Sequence, residues 1–253
     1  MLIGLGVALL KLTYGDEREI VDLVKQIDDS RVCFYPNESE LSHRMLASLR
    51  GQTLSQRERP DFEDLAHSVL LESMIVDDHL RHGKKDATRA REGAILREFR
   101  DAGLSEMFPN ASLTAIVDTG LPLEKDHSYQ AYIAHFTSVV AKHARKTEAY
   151  RAERPGFDLG FLIFDESAAY WESLGAFGPP LRGRPHLHFA DKAFVEALCD
   201  AGIDCVAWLT PYKLLNTDEG MHQLPELTIF DTSLLDHKTL RTYDPKRMMS
   251  TDT

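Results

Sequence analysis

The run Leu159-Gly160-Phe161-Leu162-Ile163-Phe164 constrains this chain more than any other stretch. It carries no charge, follows Pro155-Gly156 and stops at Asp165-Glu166. A short apolar run bounded by turn residues and acids reads as a buried strand. A buried strand needs partners, and the sequence offers them. Residues 31–35, 68–77, 112–118, 203–212 and 225–231 carry further strand patterns, and 185–191 ("PHLHFAD") offers another. Helix patterns lie between them, over 16–29, 36–51, 88–102, 127–153 and 191–202. In 16–29, Ile20, Leu23, Val24 and Ile27 recur at i, i+3, i+4, i+7, with acids in the first turn. In 36–51, Asn37 can cap the start and Gly51 ends the helix. Residues 52–60 read as a polar loop and the tail after Asp244 as loosely ordered. Strands separated by helices give an α/β chain with a central mixed sheet flanked by helices.

A chain of 253 residues suits one large domain or two small ones. No repeat or low-complexity tract divides it, so one domain over 1–253 is expected. The alternative is a core over 1–120 and a second α/β part over 127–253, where "TGLPLEKD" breaks the pattern. The net charge of -11 disfavours polyanion binding over the whole surface, but leaves room for a local basic groove. Cys33, Cys199 and Cys205 are odd in number and lack a Cys-x-x-Cys spacing. They therefore point to neither a disulfide framework nor a cysteine zinc site, and a cytoplasmic setting is the simple reading. The uncharged first ten residues are too short to span a bilayer and lack a basic lead, so no membrane association is expected. No glycine-rich phosphate loop, Gly-x-Ser-x-Gly elbow or nucleophile triad is present.

The strand pattern over 68–77 carries a contradiction. Glu72 shares a face with Leu70, Met74, Val76 and Asp78. Burying an unpaired carboxylate costs about several kcal/mol, so such a group shifts its pKa, pairs with a cation or binds a metal. Magnesium suits clustered carboxylates. Pairing of Glu72 with an arginine is the alternative.

Pro60-Asp61, ten intervening residues and then Glu72-Ser73-Met74 resemble the PD-(D/E)xK nuclease pattern. The resemblance implies a restriction-endonuclease-like core that runs helix, three strands, helix, strand. Its Asp and Glu stand on neighbouring strands and hold a divalent ion, and a lysine two residues after the Glu assists the attacking water. Here it implies the helix over 36–51, the Asp61 and Glu72 segments, the helix over 88–102 and the strand over 112–118. Asp61 and Glu72 would be catalytic and ligate Mg, or Mn, with Glu38 or Glu40 as a further carboxylate. Met74 stands where the lysine should be. Lys84 or Lys85 is the expected substitute.

Lys84 to Arg100 is locally basic. Arg89, Arg97 and Arg100 share a helical face by spacing and are expected to hold nucleic acid, since arginine suits bidentate phosphate contact. A solvated face, with Arg97 paired to Asp101, is the alternative. "KHARKTEAYRAER", 142–154, leaves the same two readings open.

A second constellation follows. Asp165 and Glu166 end the buried strand, a favoured place for chemistry in α/β sheets. His186 and His188 at i, i+2 could face one side of a strand. With Asp165 and Asp191 they could hold Zn, Fe or Mn, or could instead form ordinary hydrogen bonds. Asp165 or Glu166 could also join Glu72 in one cleft. Trp208, Tyr212 and Lys213 read as core aromatics with an exposed lysine, or as a base- and phosphate-binding group. The leading expectation is Mg-dependent phosphodiester hydrolysis of nucleic acid. Its rivals are a His/carboxylate metal-dependent hydrolase and an inactive nuclease-fold binding protein.

Overall fold

The computed structural model describes residues 17–78, 127–174, 183–211, 213–217, 220–236 and 238–250. The expected helix over 88–102, the strand over 112–118, Tyr212 and the residues Lys84, Lys85, Arg89, Arg97 and Arg100 lie outside these.

Helix α1 (Glu17–Gln26) leads to β1 (Val32–Tyr35) and α2 (Glu40–Arg50). Strands β2 (Ser55–Gln56), β3 (Phe62–Asp64) and β4 (Val69–Val76) follow. Helices α3 (Tyr129–Ala144) and α4 (Thr147–Glu153) precede β5 (Asp158–Asp165), β6 (Tyr170–Ser173) and β7 (Gly183–Pro185). Then come α5 (Lys192–Cys199), β8 (Cys205–Leu209), β9 (Leu214–Thr217), β10 (Gly220–Gln223), β11 (Leu227–Asp231) and β12 (Met248–Ser250).

A seven-stranded mixed sheet, in the order β1-β11-β8-β5-β4-β3-β2, forms the centre. Strands β4, β5 and β8 run parallel to one another, β2-β3-β4 form an antiparallel meander, and β11 runs antiparallel to β8 and parallel to β1. This one sheet takes strands from both sides of the 120–127 break. Its apolar side chains divide by pleat. Val69, Leu71, Leu162 and Phe164 meet Ile20, Val21 and Val24 of α1 and Met45 and Leu49 of α2. Leu70, Met74, Val76, Phe161 and Ile163 meet Tyr132, Phe136 and Val140 of α3 and Phe194 and Leu198 of α5. Gly160 lets the layers close, because a Cβ there would lie 2.5 Å from the Met45 methyl and 3.1 Å from Leu71.

The structure adds β6 and the β9-β10 hairpin to the expected strands and differs from the sequence reading in further places. Ser39, not Asn37, caps α2, in a reciprocal box with Ser42. The helix expected over 127–153 breaks at Arg145-Lys146 into α3 and α4. Residues 185–191 do not form one strand. β7 ends at Pro185, and His188–Ala190 make a 3-10 turn that ends at Asp191, the cap of α5. The tail after Asp244 supplies β12, which pairs with β6. Residues 52–60 contain β2, two exposed residues long. No described helix is long and apolar enough to cross a membrane.

Candidate functional site

Glu72 sits mid-strand in β4 and is 1% exposed. Its face points at α3 and α4, and three donors, one from each helix and Lys146 from the break between them, meet it. His143 Nδ1 and Lys146 Nζ lie 2.7 and 2.6 Å from Oε1, and Tyr150 Oη donates to Oε2 at 2.7 Å. The partner is thus a lysine, a histidine and a tyrosine, and not an arginine. Burial pushes the Glu72 carboxyl up, but these donors outweigh it and its pKa falls below the ordinary glutamate value.

Phe62 pairs with Leu71, so Asp61 stands across from Glu72 on the same face. Asp61 Oδ2 accepts from Ser73 N at 2.6 Å. Its pKa is raised, first by burial and then by the negative charge of Glu72, against the Ser73 N–H. The register of β3 on β4 therefore places Asp61, the residue just before β3, near enough to Glu72 for the Glu72 charge to act on it. Farther along this face, Glu63 pairs with Arg57 and Arg154.

Glu38 and Glu40 do not join this pair. Helix α2 packs on the opposite face of the sheet. Glu40 pairs with Arg44 and Glu38 with His43, and Glu38 lines a surface groove of about 600 Å³ beside Arg31, Phe34 and Pro225.

The second constellation is buried, and its members bond to other groups more than to one another. Asp165 accepts from Trp208 Nε1 (2.9 Å), Ser167 N (2.9 Å) and the Tyr132 hydroxyl. Lys213 is 1% exposed, not exposed as expected. Its ammonium reaches Asp165 at 3.3 Å, donates to Ser167 Oγ at 2.5 Å and lies over the Tyr132 ring. His186 Nε2 is 2.8 Å from Asp191, which also accepts from Tyr129. Neither ring nitrogen of His188 has a hydrogen-bond partner among the described residues, and its ring packs 4.7 Å from Trp208. Burial lowers the pKa of both histidines, that of His188 strongly. Glu166 is exposed.

Glu72 and Asp165 do not share a cleft. Glu72 pairs with Phe161 and Asp165 with Val76, a separation on the order of 13 Å along the strands. The apolar pair Met74 and Ile163 lies between them. Among the described residues, no group of three or more His, Cys, Asp or Glu is arranged to hold a metal ion.

Sequence reasoning missed Lys146 and Tyr150 as partners of Glu72. Their signal was the spacing of His143, Lys146 and Tyr150 at i, i+3, i+7, a polar stripe on one helical face. No protein-family model, curated protein or solved structure matches the chain.

Proposed function

We propose that this chain hydrolyses phosphodiester bonds in nucleic acid, with Asp61, Glu72 and Lys146 as the reacting site. One observation carries the reading. The lysine that β4 lacks at Met74 has a counterpart in Lys146, 2.6 Å from Glu72, and Glu72 stands beside Asp61. Among the described residues the order α2, β2, β3, β4, α3, α4, β5 is compatible with helix, three strands, helix, strand, with α3 and α4 together in the place of the closing helix. The segments expected to close it, 88–102 and 112–118, lie outside the described residues; the described candidates are α3 with α4, and β5.

The donor set fits magnesium, which binds through one or two carboxylates and completes its shell with water and phosphate oxygens. Asp61 and Glu72 would hold it. Charge repulsion from Glu72 already raises the Asp61 pKa, and a divalent cation offsets that repulsion. When bound, such an ion acidifies water and stabilises charge on phosphoryl oxygens. Tyr150 and His143 keep Glu72 ionised and fixed in place. Lys146 puts a positive charge at the mouth of the pair, because its side chain is 39% exposed while Glu72 is sealed.

The test is cleavage of supercoiled plasmid and labelled single strands with Mg, Mn, Zn or EDTA. Wild type should cleave with Mg or Mn. Asp61→Asn, Glu72→Gln and Lys146→Met should each lose about 10²-fold or more while staying folded. A wild type inert with every cation, or variants as active as wild type, would overturn the reading.

A second reading is favoured by one feature. Glu72 already receives three donors, as a purely structural carboxylate would. In that case the chain is an inactive nuclease-fold binding protein. A melting temperature that ignores Mg and EDTA, together with absent cleavage, would decide for it. The His/carboxylate hydrolase draws no support from the bonds of Asp165, His186 and Asp191.

A further inference from the structure

We infer that Arg59, Lys142 and Arg145 form a cationic rim that holds the sugar-phosphate backbone of the substrate across Asp61 and Glu72. The inference rests on the nucleic-acid reading above and adds which residues bind.

The rim is defined by what its cations lack. Around this site most basic side chains are neutralised. Arg57 pairs with Glu63 and Glu153, Arg154 with Glu63, Arg151 with Asp204, and Lys146 with Glu72. Arg59, Lys142 and Arg145 are exposed, and none has a carboxylate partner among the described residues. Among the described residues the other cations without a carboxylate partner, exposed Lys238 and Lys246 and half-buried Arg241, lie in the C-terminal segment.

Their placement brackets the carboxylates. Arg59 lies two residues before Asp61, in the bend that leads into β3, so it stands on the strand side of the site. Lys142 lies on the last turn of α3 and Arg145 is its C-cap residue, at i and i+3 and so neighbours on the surface at the helix end. They flank Lys146 on the helix side. A strand of nucleic acid that meets both sides passes over the Asp61–Glu72 pair. Residues 142–154 carry five Lys or Arg against two Glu in a chain of net charge -11. That local excess favours a polyanion here, while the net negative charge of the rest of the chain repels it.

These contacts are to phosphate, so they should be insensitive to sequence and sensitive to salt. The experiment is fluorescence anisotropy with a short labelled duplex and a short labelled single strand. Both are titrated in EDTA, between about 50 and 200 mM salt, with wild type and with Arg59→Gln/Lys142→Gln/Arg145→Gln. All three positions are exposed, so an unchanged melting temperature is the folding control. Wild type should bind at least one polymer. The triple variant should bind it about 10-fold or more weaker at low salt, with the slope of log K against log[salt] reduced by about 2 to 3. A variant with wild-type affinity and slope overturns the rim, even if wild type cleaves. So does a wild type that binds neither polymer. Salt-dependent binding lost in the variant, with no cleavage by wild type under any cation, keeps the rim and removes the hydrolase.

Discussion

Tyr150→Phe isolates one bond to the central carboxylate. Tyr150 is 4% exposed, and its hydroxyl donates to Glu72 Oε2 at 2.7 Å. Phenylalanine keeps the ring and its packing, so the change removes a donor and leaves a buried, ionised oxygen without that partner. A hydrogen bond to a charged group is worth about 1.5–3 kcal/mol, and about 2 kcal/mol is the expected loss near neutral pH. In a chain of this size that lowers Tm by about 4–8 °C. The pH dependence distinguishes this bond from packing. The pKa of Glu72 is depressed in the folded state. Its stabilisation is therefore complete above the unfolded value of about 4.3 and disappears as pH falls through the lower folded value. Without the Tyr150 donor the folded pKa of Glu72 moves back up toward the unfolded value. The gap between wild type and variant should be full near pH 7 and close under acid. Urea denaturation at several pH values measures it. A gap that is constant with pH would mean that the loss is one of packing, and no gap at all would mean that the hydroxyl does not bond Glu72.

Three further outcomes follow from the core. Lys213→Met should cost about 3–5 kcal/mol, because it leaves buried Asp165 without its cation; a urea midpoint within error of wild type would refute the pairing. His188 stays neutral when folded, while its unfolded form takes a proton below about pH 6.5. Stability should therefore fall with acid by up to about 1.4 kcal/mol per pH unit from this residue. His188→Leu should flatten the wild-type slope between about pH 6.5 and 5, whereas an identical slope would show that His188 titrates normally. Gly160→Ala should destabilise by about 1–3 kcal/mol, read from the shift in Tm, because the added methyl collides with Met45; a neutral result would mean that Met45 swings away freely.

The apolar runs made the sheet legible. β4, β5, β8 and β11 are buried through most of their length, and such strands carry their signal in composition alone. β2 has two exposed residues and β12 three half-buried ones. Pairing, not hydrophobicity, makes them strands, so their sequences show little. The site was half legible. Glu72 announced itself as an acid on an apolar strand, and Asp61 through its spacing. The donors to Glu72 come from residues 71 to 78 positions later, and no local pattern encodes a contact across the layers. The pair His186 and His188 misled because i, i+2 aligns side chains only in a strand, whereas Pro185 ends β7 and a 3-10 turn follows.

The order of the sheet also sets a timetable for synthesis. β1 is made early, yet its partner among the described strands is β11, where Val32 meets Leu227. The meander β2-β3-β4 can pair as soon as it emerges, and β5 and β8 can add to it in turn. β11 then wedges between β8 and β1 and closes that side late, through contacts distant in sequence, which are the slow ones to form. Until then β8 and β1 both present unpaired edges, the template on which nascent chains stick to one another. A chain cut before Leu227 would keep Asp61, Glu72 and Lys146 but never satisfy those edges. Its expected fate is aggregation, not a smaller folded protein.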